Sequence, residues 1–281
     1  MSTGIRVGVV GAGANTRSMH IPRLQAIDGV KVMSVCNRSY ESGAKVAAQF
    51  GISQVLPSWR SVVDAEDVDA VVIGTWPYLH KSVSIAALES GKHVLCEARM
   101  ACDAVEARQM LACSREHPDL VAQVVPSPMT LRVDRTIQRL IGDGLLGELL
   151  AVDAQISSGF LDRTAPLHWR QDAELSGRNI MTMGIWYEAI MRWVGTASHV
   201  SAMGKTFVSR RADASGILRD AIVPEHIDVT GELYCGAQIT NNSLLDMWAT
   251  NSLGKPTDTP SRYSFPILLI WNISLADFLV F

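Results

Sequence analysis

At 281 residues the chain is longer than one small domain needs and suits two domains of ordinary size. A hydrophobic share of 48% against 19% charged residues is that of a globular protein, and a net charge of −3 gives no electrostatic reason to expect nucleic acid or an anionic membrane as partner. The 5 cysteines (Cys36, Cys96, Cys102, Cys113 and Cys235) are scattered without metal-ligand spacing, so reduced thiols, no metal and a cytoplasmic location are expected.

Met1–Gly4 leads straight into the strand-like run Ile5–Val10, which leaves no room for a leader segment. Further strand-like runs lie at Val30–Cys36, Ala70–Gly74, His93–Cys96 and Leu120–Val125. Helix-like stretches separate them near Ile21–Ile27, Ser42–Phe50, Trp59–Ala65, Lys81–Ser90 and Ala104–Arg115. Such alternation predicts a parallel, doubly wound sheet covered on both faces, an α/β Rossmann domain over residues 1–125.

After Pro126 and Pro128 the pattern changes. A helix-like stretch, Val133–Ile141, precedes an alternating run, Leu149–Ser158, and a loop holding His168-Trp169-Arg170. An apolar helix, Asn179–Val194, and strand-like runs His199–Arg210 and His226–Cys235 follow. Strands of hairpin or meander type predict a second, α+β domain over residues 126–281, built on an open, mainly antiparallel sheet. Residues 241–281 fit neither pattern. Asn241-Asn242-Ser243, Gly254-Lys255-Pro256 and Thr259-Pro260-Ser261 read as turns, and the apolar tail Phe265–Phe281 is broken by Asn272, Ser274 and Asp277. That tail is too short to make a good transmembrane helix.

The run Gly11-Ala12-Gly13-Ala14-Asn15-Thr16 follows a predicted strand and opens a predicted helix. Gly11 permits a tight turn, and Gly13 lets a pyrophosphate approach the backbone at a helix N-terminus. Thr16 replaces the third glycine of the dinucleotide fingerprint, so strand–turn–helix context carries the reading. Gly11, Gly13, Ala14, Asn15 and Thr16 are placed at a nicotinamide dinucleotide. The second strand ends Asn37-Arg38-Ser39, with no carboxylate to repel a 2′-phosphate. Arg38 can pair with one through its guanidinium fork and Ser39 can add a hydrogen bond. NADP is therefore favoured over NAD, the alternative being that Arg38 is a solvated loop residue. Thr75, Trp76, Pro77 and His80 follow the fourth strand at the edge where ligand belongs. His80 is read either as a contact or as a structural residue at the start of its helix.

The glycine loop with His20-Ile21-Pro22, the segment Thr75–His80 and the stretch Ala87–Glu97 together resemble the Gfo/Idh/MocA oxidoreductases, a likeness that reaches roughly residue 238. The resemblance implies hydride exchange between NAD(P) and a sugar, polyol or related small carbonyl compound. It also implies a second domain whose open sheet carries the substrate site and often an oligomer interface. Members commonly use the lysine of an E-K-P motif with an Asp and a His on a second-domain helix. Here Glu97-Ala98-Arg99, Thr182 and Trp186 stand at those places. Glu97 is assigned to the nicotinamide pocket, Tyr187 or His168 to the proton, and Arg99, Trp169, Arg170 and Trp186 to the substrate. The alternatives are a non-catalytic dinucleotide sensor or assembly protein, or a defective truncated product.

Overall fold

The computed structural model describes residues 4–128, 132–157, 162–178, 183–244 and 267–271. The chain divides into two compact units, Met1–Pro126 with Glu174–Gly177, and Ser127–Ala173 with Arg178–Phe281.

The first unit alternates strand and helix as its sequence predicts. The order is β1 Ile5–Val10, a π-helical turn Thr16–His20 running into α1 Ile21–Gln25, β2 Val30–Cys36, α2 Tyr40–Phe50 and β3 Gln54–Val55. Next come α3 Trp59–Val63, β4 Ala70–Ile73, a 3-10 turn Pro77–Leu79, α4 His80–Glu89, β5 His93–Cys96, α5 Ala104–Glu116 and β6 Ala122–Val124. The strands form one parallel sheet in the order β3-β2-β1-β4-β5-β6. Central strands such as β1 are apolar without alternation because helices cover both faces of the sheet. Two buried clusters result, one including Val62, Val83, Leu88 and Met110, the other Val9, Ile21, Val35 and Val46. Ser39, Ser58 and Asp103 each accept a backbone N–H of the helix they begin, which fixes where α2, α3 and α5 start.

At the far end of the sheet, Arg6 holds Asp69 through Nε to Oδ2 (3.0 Å) and Nη2 to Oδ1 (2.7 Å). The Arg6 hydrogen bonds bring the Asp69 carboxyl down to about 2. This pair ties β1 to the start of β4 and leaves the opposite edge for ligand. Strand order reverses between β1 and β4, which opens a crevice beyond their carboxyl ends.

The second unit begins with α6 Asp134–Gly142 and β7 Leu149–Ser157. A 3-10 turn Trp169–Gln171, α7 Ala173–Ser176 (a short helix grouped with the first unit from Glu174 onward), α8 Met183–Val194 and β8 Ala197–Lys205 follow. The remaining strands are β9 Arg210–Ala212, β10 Leu218–Asp220, β11 His226–Leu233, β12 Gln238–Leu244 and β13 Ile267–Trp271. Five strands form a mixed sheet ordered β13-β7-β12-β11-β8. Only β7 and β12 pair in parallel; the other pairings are antiparallel. Ile190 of α8 packs on Val152, Ala154, Leu233 and Ile239 to form this unit's core.

Three local expectations change. Asn241-Asn242-Ser243 is no turn but the middle of β12, hydrogen-bonded to β7 on one side and β11 on the other. Ladder bonds on both edges outweigh the turn preference of asparagine. The single run His199–Arg210 is instead β8, ending at Lys205, and a separate hairpin that starts at Arg210. Part of the atypical tail, Ile267–Trp271, adds a strand beside β7. Residues 179–182, including Thr182, lie outside the described residues. No helix among the described residues is long and apolar enough to cross a membrane.

Candidate functional site

A cleft of about 570 Å³ lies at the carboxyl ends of β1, β2 and β4. Its walls include Gly11, Gly13, Asn37, Arg38, Ser39, Thr75 and Trp76, all singled out in the sequence. The loop that floors it is tied down by its own backbone. Gly11 N donates to Cys36 O (2.8 Å), Gly74 N donates to Val10 O (2.8 Å), and Ala12 N donates to the Asn37 Oδ1 (2.7 Å). Asn37 Nδ2 in turn donates to Ser42 Oγ (2.8 Å), so both ends of this amide hold the cleft's shape.

The two glycines serve different purposes. Gly11 has φ +84°, and a Cβ there would strike Thr75, so the chain itself requires glycine. At Gly13 φ is not in the left-handed region, and the nearest atom to an added Cβ is Gly74 O at 3.9 Å. The fold would accept a side chain at Gly13, so the bare backbone serves what approaches from the cleft. Thr16 is buried beneath the loop, where its hydroxyl donates to Gly11 O (3.2 Å). Ala14 and Asn15 lie exposed at the start of the helical run.

Arg38 is exposed at the end of β2 and makes no ion pair among the described residues. Its guanidinium lies 5.7 Å from the centroid of the Trp76 ring, across the cleft. Ser39, beside it, caps α2 by accepting Ser42 N. The wall also holds Pro57, Ser58 and Trp59, which the sequence reading missed. They follow β3, a two-residue strand too short to show a period, and finding its carboxyl end would have found them.

His80 does not line the cleft. It is fully buried, with Nδ1 2.6 Å from Arg99 O and Nε2 3.0 Å from Thr75 O. Burial pushes its proton affinity down against the pull of those carbonyls. It staples the loop after β4 to the loop after β5, a positioning role. Pro77, also buried, starts the 3-10 turn that delivers Tyr78 and Leu79 to the cleft.

Beyond β5, Glu97 forms a polar cluster. Its Oε1 accepts from Asn15 Nδ2 and lies 2.5 Å from His20 Nε2, and its Oε2 accepts Ala98 N at 3.0 Å. Burial raises the carboxyl, but the hydrogen bonds from His20, Asn15 and Ala98 N prevail and hold it below its ordinary range. In the sequence His20 belongs to the His20-Ile21-Pro22 stretch, and nothing local to it assigns a role.

In the second unit His168 begins the Trp169–Gln171 turn, where its Nδ1 accepts Arg170 N (3.2 Å). Burial, then the charge of Arg170, lowers its proton affinity. Arg170 stacks on Trp169 with 4.3 Å from guanidinium carbon to ring centroid. Trp186 is half-buried on α8. Tyr187 packs against the core cluster and its hydroxyl accepts Ala197 N (3.3 Å). Glu188 accepts Ser127 N and Arg192 Nη1 (2.6 Å), while Asp134 accepts Arg192 Nε (2.7 Å) and Trp193 Nε1 (2.6 Å). That network fastens α6 and the unit's first residues to α8.

Two family models match this chain. One, described as the oxidoreductase family with an NAD-binding Rossmann fold, covers residues 5–124. The other, the GFO/IDH/MocA C-terminal domain, covers residues 135–257, so the likeness extends beyond residue 238, where the sequence reading ended it. Glucose-fructose oxidoreductase domain-containing protein 2 of Bos taurus is 30% identical over 214 residues, 75% of this chain and 54% of that protein. Levoglucosan dehydrogenase of Pseudarthrobacter phenanthrenivorans is 27% identical over 222 residues, 75% and 57% of the two chains. The chain thus spans little more than half the length of these relatives. An oxidoreductase domain protein from Kribbella flavida superposes with TM-score 0.75 at 25% identity, over 85% of this chain and 67% of that one. A levoglucosan dehydrogenase in complex with NADH and levoglucosan shares the fold, with TM-score 0.75 at 22% identity over 88% and 68%. This protein, with its NAD-binding Rossmann unit and its mixed-sheet second unit, belongs to the Gfo/Idh/MocA oxidoreductase family.

Proposed function

We propose that the protein is an NADP-preferring oxidoreductase that exchanges hydride with a hydroxyl or carbonyl carbon of a sugar-like compound. The first unit is the cofactor domain and the second the substrate domain. The observation that carries the reading is the cleft at the β1/β4 reversal, floored by a glycine that the fold does not need and edged by an arginine without a carboxylate partner among the described residues. A dinucleotide fits this cradle. Gly13 and the N-terminal N–H groups of the helical run would receive the pyrophosphate. Arg38, with Ser39, would hold the 2′-phosphate. Bound there, the nicotinamide would supply the hydride acceptor or donor.

The sugar-like substrate class follows from the relatives, which include a levoglucosan dehydrogenase and an inositol 2-dehydrogenase/D-chiro-inositol 3-dehydrogenase from Halalkalibacterium halodurans. Trp169 stacked with Arg170 offers an aromatic and charged surface of the kind a sugar ring needs, and Trp186 and, in the first unit, Arg99 are further substrate candidates. Tyr187 is better employed in the core than as an acid, because its hydroxyl already serves Ala197. His168, whose proton affinity burial and then Arg170 lower, suits a hydrogen-bonding role toward a reacting oxygen rather than a proton store. Self-association through the second sheet accords with β8, which is exposed along almost its whole length. A cytoplasmic setting accords with the free cysteines among the described residues.

The test is turnover on a panel of polyols, aldoses and anhydrosugars with NADP and NAD, together with His168→Ala. Cofactor-dependent turnover that falls in His168→Ala supports the reading. NADPH binding without turnover on any member favours a non-catalytic sensor instead.

A further inference from the structure

We propose that His20 and Glu97 form the proton-handling pair of the reaction, with Nδ1 of His20 taking up or returning the proton of the reacting hydroxyl, directly or through one water. The inference rests on the oxidoreductase reading above.

Three observations place it. In a doubly wound sheet the two nucleotide halves of a dinucleotide lie on opposite sides of the reversal, and β5 belongs to the half opposite β2 and Arg38. Glu97, immediately after β5, therefore stands on the nicotinamide side. Its Oε1 lies 2.5 Å from His20 Nε2, and both side chains are largely buried, at 14% and 15% exposure. With Nε2 facing a carboxylate, the neutral imidazole carries its hydrogen on Nε2 and leaves the lone pair on Nδ1. Among the described residues no group hydrogen-bonds Nδ1. A carboxylate orienting an imidazole whose other nitrogen is open is the arrangement of a general base.

The neighbours agree. Glu97 stays ionised because burial, which opposes ionisation, is outweighed by His20, Asn15 and Ala98 N. The other charged group on the same turn is Arg17, always protonated and no acceptor. Ala98 brings no proton acceptor, and Arg99 is always charged.

The balance is simple. When a hydroxyl-bearing carbon gives its hydrogen as hydride to the oxidised nicotinamide, the O–H bond breaks and its electron pair closes the carbonyl. The proton goes to Nδ1, and the imidazolium so formed faces Glu97. Reduction of a carbonyl runs the same exchange backward.

A test that needs no substrate uses the charge of the cofactor. Oxidised nicotinamide carries a positive charge that reduced nicotinamide lacks, so it expels a proton from an imidazole beside it. Calorimetric titration with NADP⁺ and with NADPH, in two buffers of different ionisation enthalpy between about pH 6 and pH 7, counts that proton. The wild type should release more proton with NADP⁺ than with NADPH. The difference should vanish in His20→Gln, whose amide can still donate to Glu97 but cannot take a proton, and persist in His199→Gln on exposed β8. Equal release by the two cofactors, or a difference that survives in His20→Gln, overturns the pair while leaving the cofactor site standing. Should His20→Gln fail to fold, Glu97→Gln serves, and an unchanged difference there is equally fatal. Failure of either nucleotide to bind the wild type overturns the oxidoreductase reading itself, and the pair with it.

Discussion

The cleft of the first unit and helix α8 of the second both bring together polar residues, yet they are organised in opposite ways. Around α8 the charges answer each other: Arg192 holds Asp134 and Glu188, and Trp193 completes Asp134. At the cleft, Arg38 makes no ion pair among the described residues and lies over the face of Trp76, and Gly13 stands open, with Gly74 O at 3.9 Å the nearest described atom to an added Cβ. Groups that satisfy one another hold a fold. A cation or a bare backbone with no internal reason points to a ligand.

Substitutions can break this contrast. The largest stability effect is expected in the second unit at Arg211, which is buried against Glu225 (2.8 Å) and also donates to Asp162 O and Ala165 O. Arg211→Met leaves Glu225 buried without its cation and should cost about 3–5 kcal/mol by denaturant unfolding. NADPH affinity of the remaining folded protein should not change.

The glycine pair sharpens the contrast within the first unit. Gly11→Val forces a β-branched residue into a left-handed conformation against Thr75, and should cost about 3 kcal/mol or more of stability. Gly13→Ala should melt within a few degrees of wild type but lose about tenfold or more in NADPH affinity, roughly 1.4 kcal/mol. Equal stability losses in the two variants would erase the distinction between a glycine for the chain and one for the ligand.

A smaller effect concerns His80. Its folded-state proton affinity lies below that of an unfolded histidine because burial disfavours the cation. The unfolded chain then binds the proton first, so stability is full above about pH 6.5 and falls as the pH drops through the unfolded value toward the folded one. Thermal melts between pH 7 and pH 5 should show this loss, and His80→Gln should flatten it. The smallest effect is expected at Tyr187→Phe, which removes one hydroxyl bonded to Ala197 N and should cost about 1 kcal/mol with turnover unchanged.

Much of the first unit was legible because a buried parallel strand between short loops leaves a strong pattern, as Ile5–Val10 and Val30–Cys36 do. The glycine loop was legible for the same reason. What escaped was decided by partners distant in sequence. β12 was hidden by asparagines that only pairing on both edges could make extended. His80 reads in the sequence either as a contact or as a structural residue, and its bond to Arg99 O spans 19 positions that no local pattern announces. His20 meets Glu97 across 77 positions of chain, and no local period could announce it.

On the proposed function, Arg38 makes this cleft an NADP site. Titrating NADPH and NADH into wild type and Arg38→Ala, followed by nicotinamide fluorescence, tests it directly. A charge-assisted contact to the 2′-phosphate is worth about 1.5–3 kcal/mol, so wild type should bind NADPH at least about tenfold more tightly than NADH. Arg38→Ala should lose that preference and keep its NADH affinity. Equal binding of the two cofactors by wild type, or a preference for NADPH that survives in Arg38→Ala, would contradict the claim.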